Sequence, residues 1–298
     1  MKALPIAILL CLAAAPAFAG TPIDETRAVS PDARIDISNI KGTVSVTAWD
    51  KPEVAITGTL GDGAKRLAVE GGGAHLSVKV EPPDRQGWLS WGADTRMGDS
   101  MLDLKVPKNA ELKIDVVSAD VSVGGTAGRT LAVNSVSGKL RLESTAKDLD
   151  IDSVSGNIEL TGASDRAHLQ TVSGDIRARG LGGEAKFETV SGDIDAEAGR
   201  YHELGAGTVS GDITLRGAPE GDARIDVTTM SGDVHLHLPA DASLRLRASS
   251  FSGSIRSDFG SVKEPEHGPG SSLDATAGSG AGSAKIETFS GDIEIVRQ

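Results

Sequence analysis

The chain has 298 residues, a formal net charge of −12, 37 glycines and an aromatic content of only 3%. The acidic balance argues against nucleic acid or an anionic membrane as a partner. The shortage of bulky residues argues against a conventional globular core. The only cysteine is Cys11, near the N-terminus.

Residues 1–19 have the features of a secretory signal peptide. Lys2 supplies a positive charge, residues 4–15 are largely apolar, and Ala17-Phe18-Ala19 matches a signal-peptidase site. The apolar run is too short to cross a bilayer. We therefore expect a mature chain that begins at Gly20, contains no cysteine and no transmembrane segment, and is exported to the periplasm or cell surface of a bacterium.

The part of the chain that follows the signal shows the alternation typical of β-strands. Apolar and polar residues alternate from Arg34 to Ile40 and again from Thr43 to Trp49. Further strands are predicted at residues 54–60, 76–80, 101–106 and 112–117. Because these strands are unevenly spaced, residues 33–117 are predicted to form irregular N-terminal coils.

The centre of the chain repeats the phrase Val-Ser-Gly-Asp-Ile or a close variant. From Ser137 to Ser191 the copies are 18 residues apart, and the next two steps are 19 and 21 residues. The copies begin at Val136, Val154, Val172, Val190, Val209, Met230, Phe251 and Phe289. A fixed period indicates a repeat architecture in which each unit packs on its neighbours, and the regular repeats are predicted over residues 118–259.

Aligning the copies separates the positions by chemistry. After the glycine comes a polar column rich in aspartate, and then an aliphatic column that runs from Leu140 to Ile293. The following positions alternate between polar and apolar, as in a strand with one buried face. Each repeat therefore predicts two short strands and two turns, which together form one coil of an all-β, parallel β-solenoid (β-helix-like) with repeats of about 18–21 residues.

A second geometry fits the same alternation. Ser-Gly could form a two-residue hairpin loop between antiparallel strands. That arrangement would point Val136, Val154, Val172 and Val190 at solvent, whereas we expect a solenoid to turn these valines inward at its corner. We favour the solenoid for that reason and because like residues recur column by column.

The C-terminal part interrupts and then resumes the repeat. Residues 260–283 are rich in Gly, Ser and Pro, which predicts a flexible loop. Residues 284–298 form a closing repeat. We expect residues 20–298 to form a single solenoid domain.

Two groups of residues are candidate metal ligands. Asp175, Asp193, Asp212 and Asp233 recur one coil apart and could supply oxygen ligands to Ca²⁺, or could instead cap backbone N–H groups at the turn. Asp233 also shares an outward face with His235 and His237, and imidazole and carboxylate groups are ligands that Zn²⁺ accepts. A solvent-facing histidine pair on a strand is the alternative.

Trp88 and Trp91 are candidate binding residues. They lie in the irregular stretch from Glu81 to Ser100, and exposed aromatic side chains often contact ligands, glycans or protein partners. The alternative is that they fold back and cover the end of the solenoid.

No catalytic constellation is recognisable in the repeats. Serine recurs in every copy, but no histidine and acid are predictably placed around one particular serine, as nucleophilic catalysis requires. The outward charges alternate in sign between coils, for example Arg141 beside Glu159, which is typical of a solvated surface. We expect no catalytic residues and no cofactor.

The repeat resembles a known family. Thr288–Ile295 (Thr-Phe-Ser-Gly-Asp-Ile-Glu-Ile), the early segment Asn39–Val46 and the Val106-Pro107 step are similar to bacterial exported β-strand-repeat proteins labelled "putative adhesin", a domain of unknown function. The resemblance covers the chain from about Ala33 to Val296. It implies a β-solenoid at the cell surface or in the periplasm, and it brings no catalytic residues with it.

These observations favour an exported, non-enzymatic, adhesin-like protein with a binding or structural role at the surface or in the periplasm. The expected partner is an envelope protein or a glycan. One alternative is an enzyme of the β-helix type that acts on polysaccharide. The other is a structural component of the envelope-stress response.

Overall fold

The computed structural model describes residues 20–83, 97–264 and 269–298, and in these ranges the chain forms strands, turns and bends but no helix. Its strands join into one continuous sheet that winds into stacked coils. Each coil is narrow, so its core consists mainly of small aliphatic side chains.

The N-terminal coils are organised around one long strand. The strands are β1 (Thr21–Trp49), β2 (Glu53–Leu60), β3 (Arg66–Glu81), β4 (Ser100–Pro107) and β5 (Glu111–Thr126). Residues of β1 pair in parallel with β5 on one side and with β3 and β4 on the other. β2 pairs antiparallel with the beginning of β1 and with β4. This end of the solenoid is therefore closed partly by antiparallel strands, which the prediction of coils over residues 33–117 did not include.

The regular coils contain two strands each. The strands are β6 (Thr130–Ser137), β7 (Leu140–Ser144), β8 (Asp148–Ser155), β9 (Ile158–Thr161), β10 (Arg166–Ser173), β11 (Ile176–Arg179), β12 (Gly183–Ser191), β13 (Ile194–Ser210), β14 (Ile213–Ser231) and β15 (Val234–Leu238). β10 pairs in parallel with β8 and β12, and β11 pairs in parallel with β9 and β13. Strands on either side of a Ser-Gly corner thus pair with neighbouring coils. This pairing confirms the parallel β-solenoid and rules out the hairpin alternative.

The C-terminal coils are stacked out of chain order. The strands are β16 (Leu244–Ser252), β17 (Ile255–Ser257), β18 (Val262–Lys263), β19 (Ser271–Ala277), β20 (Gly282–Ser290) and β21 (Ile293–Arg297). β20 pairs with β14 on one side and with β16 on the other, and β21 lies likewise between β15 and β17. The last repeat of the chain is therefore inserted between two earlier ones, and the coil of β16 and β17 lies outside it.

The prediction of a flexible loop over residues 260–283 is wrong for part of that stretch. β19 pairs antiparallel with β16 along seven residues, and its Leu273 and Ala277 are buried. A strand that covers the outer edge of the last coil satisfies backbone groups that would otherwise invite pairing with another chain. Its composition resembles a loop because the outward positions carry small polar residues.

The inward columns form one continuous core. Ile176 lies opposite Ile158 and Ile194 in the neighbouring coils, and all three side chains are buried. Among the described residues, Phe187 and Tyr201 are the largest fully buried side chains. On the outer face Arg141 pairs with Glu159 at 3.1 Å, as the alternation of charge predicted.

Candidate functional site: an apolar stripe along the corners

The glycine of the repeated phrase lets successive corners approach closely. A Cβ atom built on Gly192 would collide with the carbonyl oxygen of Gly174 in the preceding coil, and the same clash recurs between Gly211 and Gly192. The backbone N–H of Gly174 also donates to the carbonyl of Ser191 at 3.1 Å. At these corners only glycine fits, because the corners are hydrogen-bonded directly to one another.

The aspartates that follow the glycine form a ladder of backbone caps. The N–H of Asp193 donates to Oδ1 of Asp175 at 3.2 Å, and the N–H of Asp212 donates to Oδ1 of Asp193 at 2.9 Å. Asp233 and Asp292 continue the ladder at 2.8 Å each. Each carboxylate therefore caps the backbone of the next coil, the alternative that the sequence left open. The residues that the structure describes contain no group of three or more His, Cys, Asp or Glu side chains that could hold a metal ion.

The two predicted histidines face outward beside this ladder. The ring Nδ1 of His235 lies 3.1 Å from Oε2 of Glu294 in the neighbouring coil. Burial, followed by the nearby charges of Arg216 and His235, lowers the pKa of His237. Asp233 Oδ1 accepts a hydrogen bond from the N–H of Asp292, so Asp233 and His235 contact different neighbouring residues.

The predicted binding residues Trp88 and Trp91 lie outside the described residues. Within the described ranges, no hydrogen bond joins a serine hydroxyl to a histidine ring, and no helix is long and apolar enough to cross a membrane. The described residues offer a different surface feature, which lies at the corners of the coils.

The valine that opens the repeated phrase faces solvent, contrary to the sequence prediction. Val136, Val154, Val172 and Val190 are 45–49% exposed. The inside of the corner is occupied by the preceding residue, which is a buried Ser or Thr in every copy. Some of these hydroxyls donate to a glycine carbonyl of a neighbouring coil, for example Thr189 to Gly174 at 3.3 Å. The corner has room for a small hydroxyl residue, so the valine is directed outward.

These outward residues stack into one line, which we call the apolar stripe. It consists, in the order of the coils, of Val117, Val136, Val154, Val172, Val190, Val209, Met230, Phe289 and Phe251. Because neighbouring strands are about 4.8 Å apart, the stripe is about 38 Å long. The rings of Phe289 and Phe251 stack at a centroid distance of 4.8 Å and an angle of 11°. Side-chain size therefore increases toward the C-terminal end.

A groove lies at each end of the apolar stripe. The valine-end groove has a volume of about 670 Å³ and is bordered by Ile40, Asp115 and Asp152. The aromatic-end groove has a volume of about 860 Å³, and one of its walls is formed by Lys263 and residues 270–272. Volumes of this size fall in the range of ligand pockets.

The borders of the apolar stripe are acidic. On one side lie Asp115, Asp152 and Glu188, and beyond a column of exposed serines on the other side lies the aspartate ladder. Burial, with a smaller effect of Asp150, raises the pKa of the Asp152 carboxyl. The surface thus combines an exposed apolar line with recurring carboxylates on both sides, an arrangement that suits contact with a partner.

Comparison with known proteins gives a family and a fold. The chain matches no curated protein sequence. Similar solved structures include a "putative adhesin" from Parabacteroides merdae, which is 11% identical with a TM-score of 0.51 and alignment over 93% of this chain and 97% of that one. Another is a "putative lipid binding protein" from Parabacteroides distasonis, 16% identical with a TM-score of 0.48 over the same shares. At these identities the likeness concerns the fold alone.

The family is established by the sequence itself. The profile of the family described as Toastrack DUF4097 matches residues 33–296. That range includes the N-terminal coils, the regular repeats, the inserted last repeat and every residue of the apolar stripe. This chain belongs to the Toastrack DUF4097 family.

Proposed function

We propose that this protein is an exported, non-enzymatic, adhesin-like binding protein of the bacterial surface or periplasm, and that the apolar stripe is its contact surface. The observation that carries the proposal is a line of nine side chains, each 45–59% exposed, at a position that is apolar in every copy. Soluble monomers rarely expose long contiguous apolar surfaces unless a partner covers them.

The rest of the solenoid surface supports a non-catalytic role. Several outward acids are engaged by bases, as in the pair of Arg216 with Asp195 at 2.8 Å, and others cap backbone groups in the aspartate ladder. A polysaccharide-acting enzyme would instead need free acids facing each other across a groove. Turnover by the purified protein on a panel of glycans, lost in Asp195→Asn, would contradict the proposal.

The main test compares variants of the full chain in a deletion strain. A stripe variant carries Val154→Ser, Val172→Ser and Val190→Ser. A matched control carries Thr161→Ser, Arg179→Ser and Glu197→Ser, which are exposed positions on the second strand of the same coils. Surface adherence and sensitivity to envelope stress are measured together with the amount of protein in the periplasm, outer membrane and medium.

We expect the wild-type and control chains to restore the phenotype of the deletion. The stripe variant should reach the same compartment at the same level but fail to restore it. Full restoration by the stripe variant would overturn the assignment of the contact surface. A deletion that changes neither adherence nor envelope behaviour would overturn the proposed function as a whole.

A further inference from the structure

The apolar stripe has a spacing that few partners can match. An α-helix presents one turn every 5.4 Å, and an extended strand presents a side chain to one face about every 6.7 Å. Against coils about 4.8 Å apart, either partner loses register within a few residues of the stripe. A second β-solenoid has the same spacing and stays in register along the whole length of about 38 Å.

The order of side-chain sizes along the stripe selects the orientation of such a partner. Along the stripe, six valines are followed by Met230, Phe289 and Phe251. If a second stripe ran antiparallel, its bulky end would face the valine end, where a groove of about 670 Å³ is open. A parallel second stripe would instead place phenylalanine against phenylalanine and valine against valine, so the two copies would be held further apart at the aromatic end than at the valine end.

We infer that the apolar stripe binds the apolar stripe of a second copy of this chain, antiparallel, around a two-fold axis at Val190. This inference rests on the proposed function and names the partner of the same surface. Val190 is the fifth of nine stripe residues, so it lies on the axis and faces Val190 of the second copy. Val136 faces Phe289 of the second copy, and Val154 faces Met230, as a two-fold interface requires.

The borders are compatible with this arrangement at some positions and oppose it at others. A two-fold axis across the stripe keeps each border on its own side, so Asn134 faces Glu287 of the second copy and Asp152 faces Thr228. Glu188 faces Glu188 of the second copy, but each Glu188 pairs with Lys186 of its own chain, with 2.6 Å between Nζ and Oε1. The two aspartate ladders also lie on the same side. Added salt should therefore strengthen the association by screening repulsion between acidic borders.

The size of the contact predicts a reversible complex. The stripe with one column on each side is about 38 Å long and about 13 Å wide, or about 500 Å² of each copy. Stable interfaces bury about 800 Å² per partner. We therefore expect association that depends on protein concentration and that becomes strong only where many copies are displayed on facing surfaces.

Sedimentation velocity tests the association. The wild-type chain should shift from monomer to dimer with concentration, and 0.5 M NaCl should tighten the dissociation constant, on the order of several-fold. Val190→Asp should weaken it by at least about tenfold, because two carboxylates would meet at the axis. Thr161→Asp adds the same charge on another face of the solenoid, at the end of β9 two coils from Val190, and should have little effect.

Cross-linking tests the geometry. The background is Cys11→Ser, so the chain has no other cysteine. A bismaleimide that spans the roughly 10 Å between facing sheets should join Val190→Cys to itself. Val136→Cys alone should remain uncross-linked because its two copies are about 29 Å apart along the stripe. A mixture of Val136→Cys with Phe289→Cys should cross-link.

Three results would overturn the inference: a monomer at all concentrations, a dimer unaffected by Val190→Asp, or self-cross-linking of Val136→Cys equal to that of Val190→Cys. A complex that forms only with another protein, and that salt weakens, would identify a basic partner instead. The two proposals fail separately. If the wild-type chain is a monomer but the stripe variant still fails to restore the deletion strain, the proposed function stands and the self-association is wrong. If the chain forms a stripe-dependent dimer but the stripe variant restores the phenotype, the proposed function is wrong.

Discussion

Two apolar columns meet at each corner of the solenoid, and their surroundings are opposite. Val172 and Ile176 are four residues apart, yet the valine is 45% exposed and the isoleucine is fully buried. Both positions are apolar in every copy of the repeat. Repetition of a residue type therefore shows that the coil geometry repeats, but it does not show which side of the coil the residue occupies.

The two columns differ in what they contribute: the inner one to the stability of the fold, and the outer one to the proposed contact surface. The inner column, represented by Ile176, is required because the stacked coils have no other core at that position. The outer column contributes less to folding, because its valines are only about half buried. A polar residue would cost the fold less there than in the inner column, so we attribute the apolar character of the outer column to the proposed partner.

The largest expected effect breaks the inner column. Ile176→Ala should lower the free energy of unfolding by about 2–5 kcal/mol, since it removes a fully buried side chain and leaves a cavity between two coils. Val172→Ala, in the outer column of the same coil, should lower it by only about 0.5–1 kcal/mol, because the valine is half buried and loses part of its cross-strand packing. Urea denaturation measures both. Equal losses would show that the two columns do not differ in the way that the structure indicates.

A smaller effect is expected at the glycine between the columns. Gly192→Ala should cost about 1–3 kcal/mol, because the new Cβ would force the corner away from the carbonyl of Gly174. Gly207→Ala is the matched control, since the nearest atom to its Cβ is the carbonyl oxygen of Thr228 at 3.9 Å. Thermal unfolding of the two variants should differ clearly. A stable Gly192→Ala chain would mean that the coils can separate locally at little cost.

The aspartate ladder should contribute less than the glycine column. Asp193→Ala removes the acceptor of the Asp212 N–H, a bond of 2.9 Å, and should cost about 0.5–1.5 kcal/mol. Asp193→Asn keeps an acceptor oxygen and relieves repulsion between neighbouring carboxylates, so its stability should equal or exceed that of the wild type. If both variants lost the same stability, the charge rather than the hydrogen bond would be the stabilising feature.

Much of the fold could be predicted from the columns of the repeat. The period, the inward Ile column and the turn-capping use of Asp follow from glycine, aspartate and aliphatic chemistry at fixed spacing. The side occupied by Val172 was predicted wrongly because the solenoid corner was expected to turn the valine inward. Counted from the preceding strand, Leu169 is inward, Gln170 outward and Thr171 inward, which places Val172 outward.

The order of the C-terminal coils had no comparable signal. β20 pairs with β14 and β16, which are distant in sequence. Because all the strands carry the same inward apolar pattern, the pattern does not indicate which of them become neighbours. The one hint in the sequence is that Phe251 and Phe289 begin the only two copies that start with phenylalanine. Their coils are neighbours in the structure, where the two rings stack. β19 was missed because its Ser, Asp, Thr and Ala residues suit both a loop and a short edge strand.

The smallest predicted effect is the acid dependence of one ladder residue on the C-terminal coils. Hydrogen bonds from the backbone and then the side chain of Ser254 lower the pKa of Asp292. A lowered pKa in the folded state stabilises the fold above the unfolded pKa of about 3.9 and loses that contribution as the pH falls through the folded pKa. The unfolding free energy of Asp292→Asn should therefore decline less steeply with falling pH below about pH 4 than that of the wild type. Near neutral pH the two slopes should be the same. Ser254→Ala, which removes only the side-chain donor, should fall between the two. Identical acid profiles for all three chains would show that this rung of the ladder is not formed in solution.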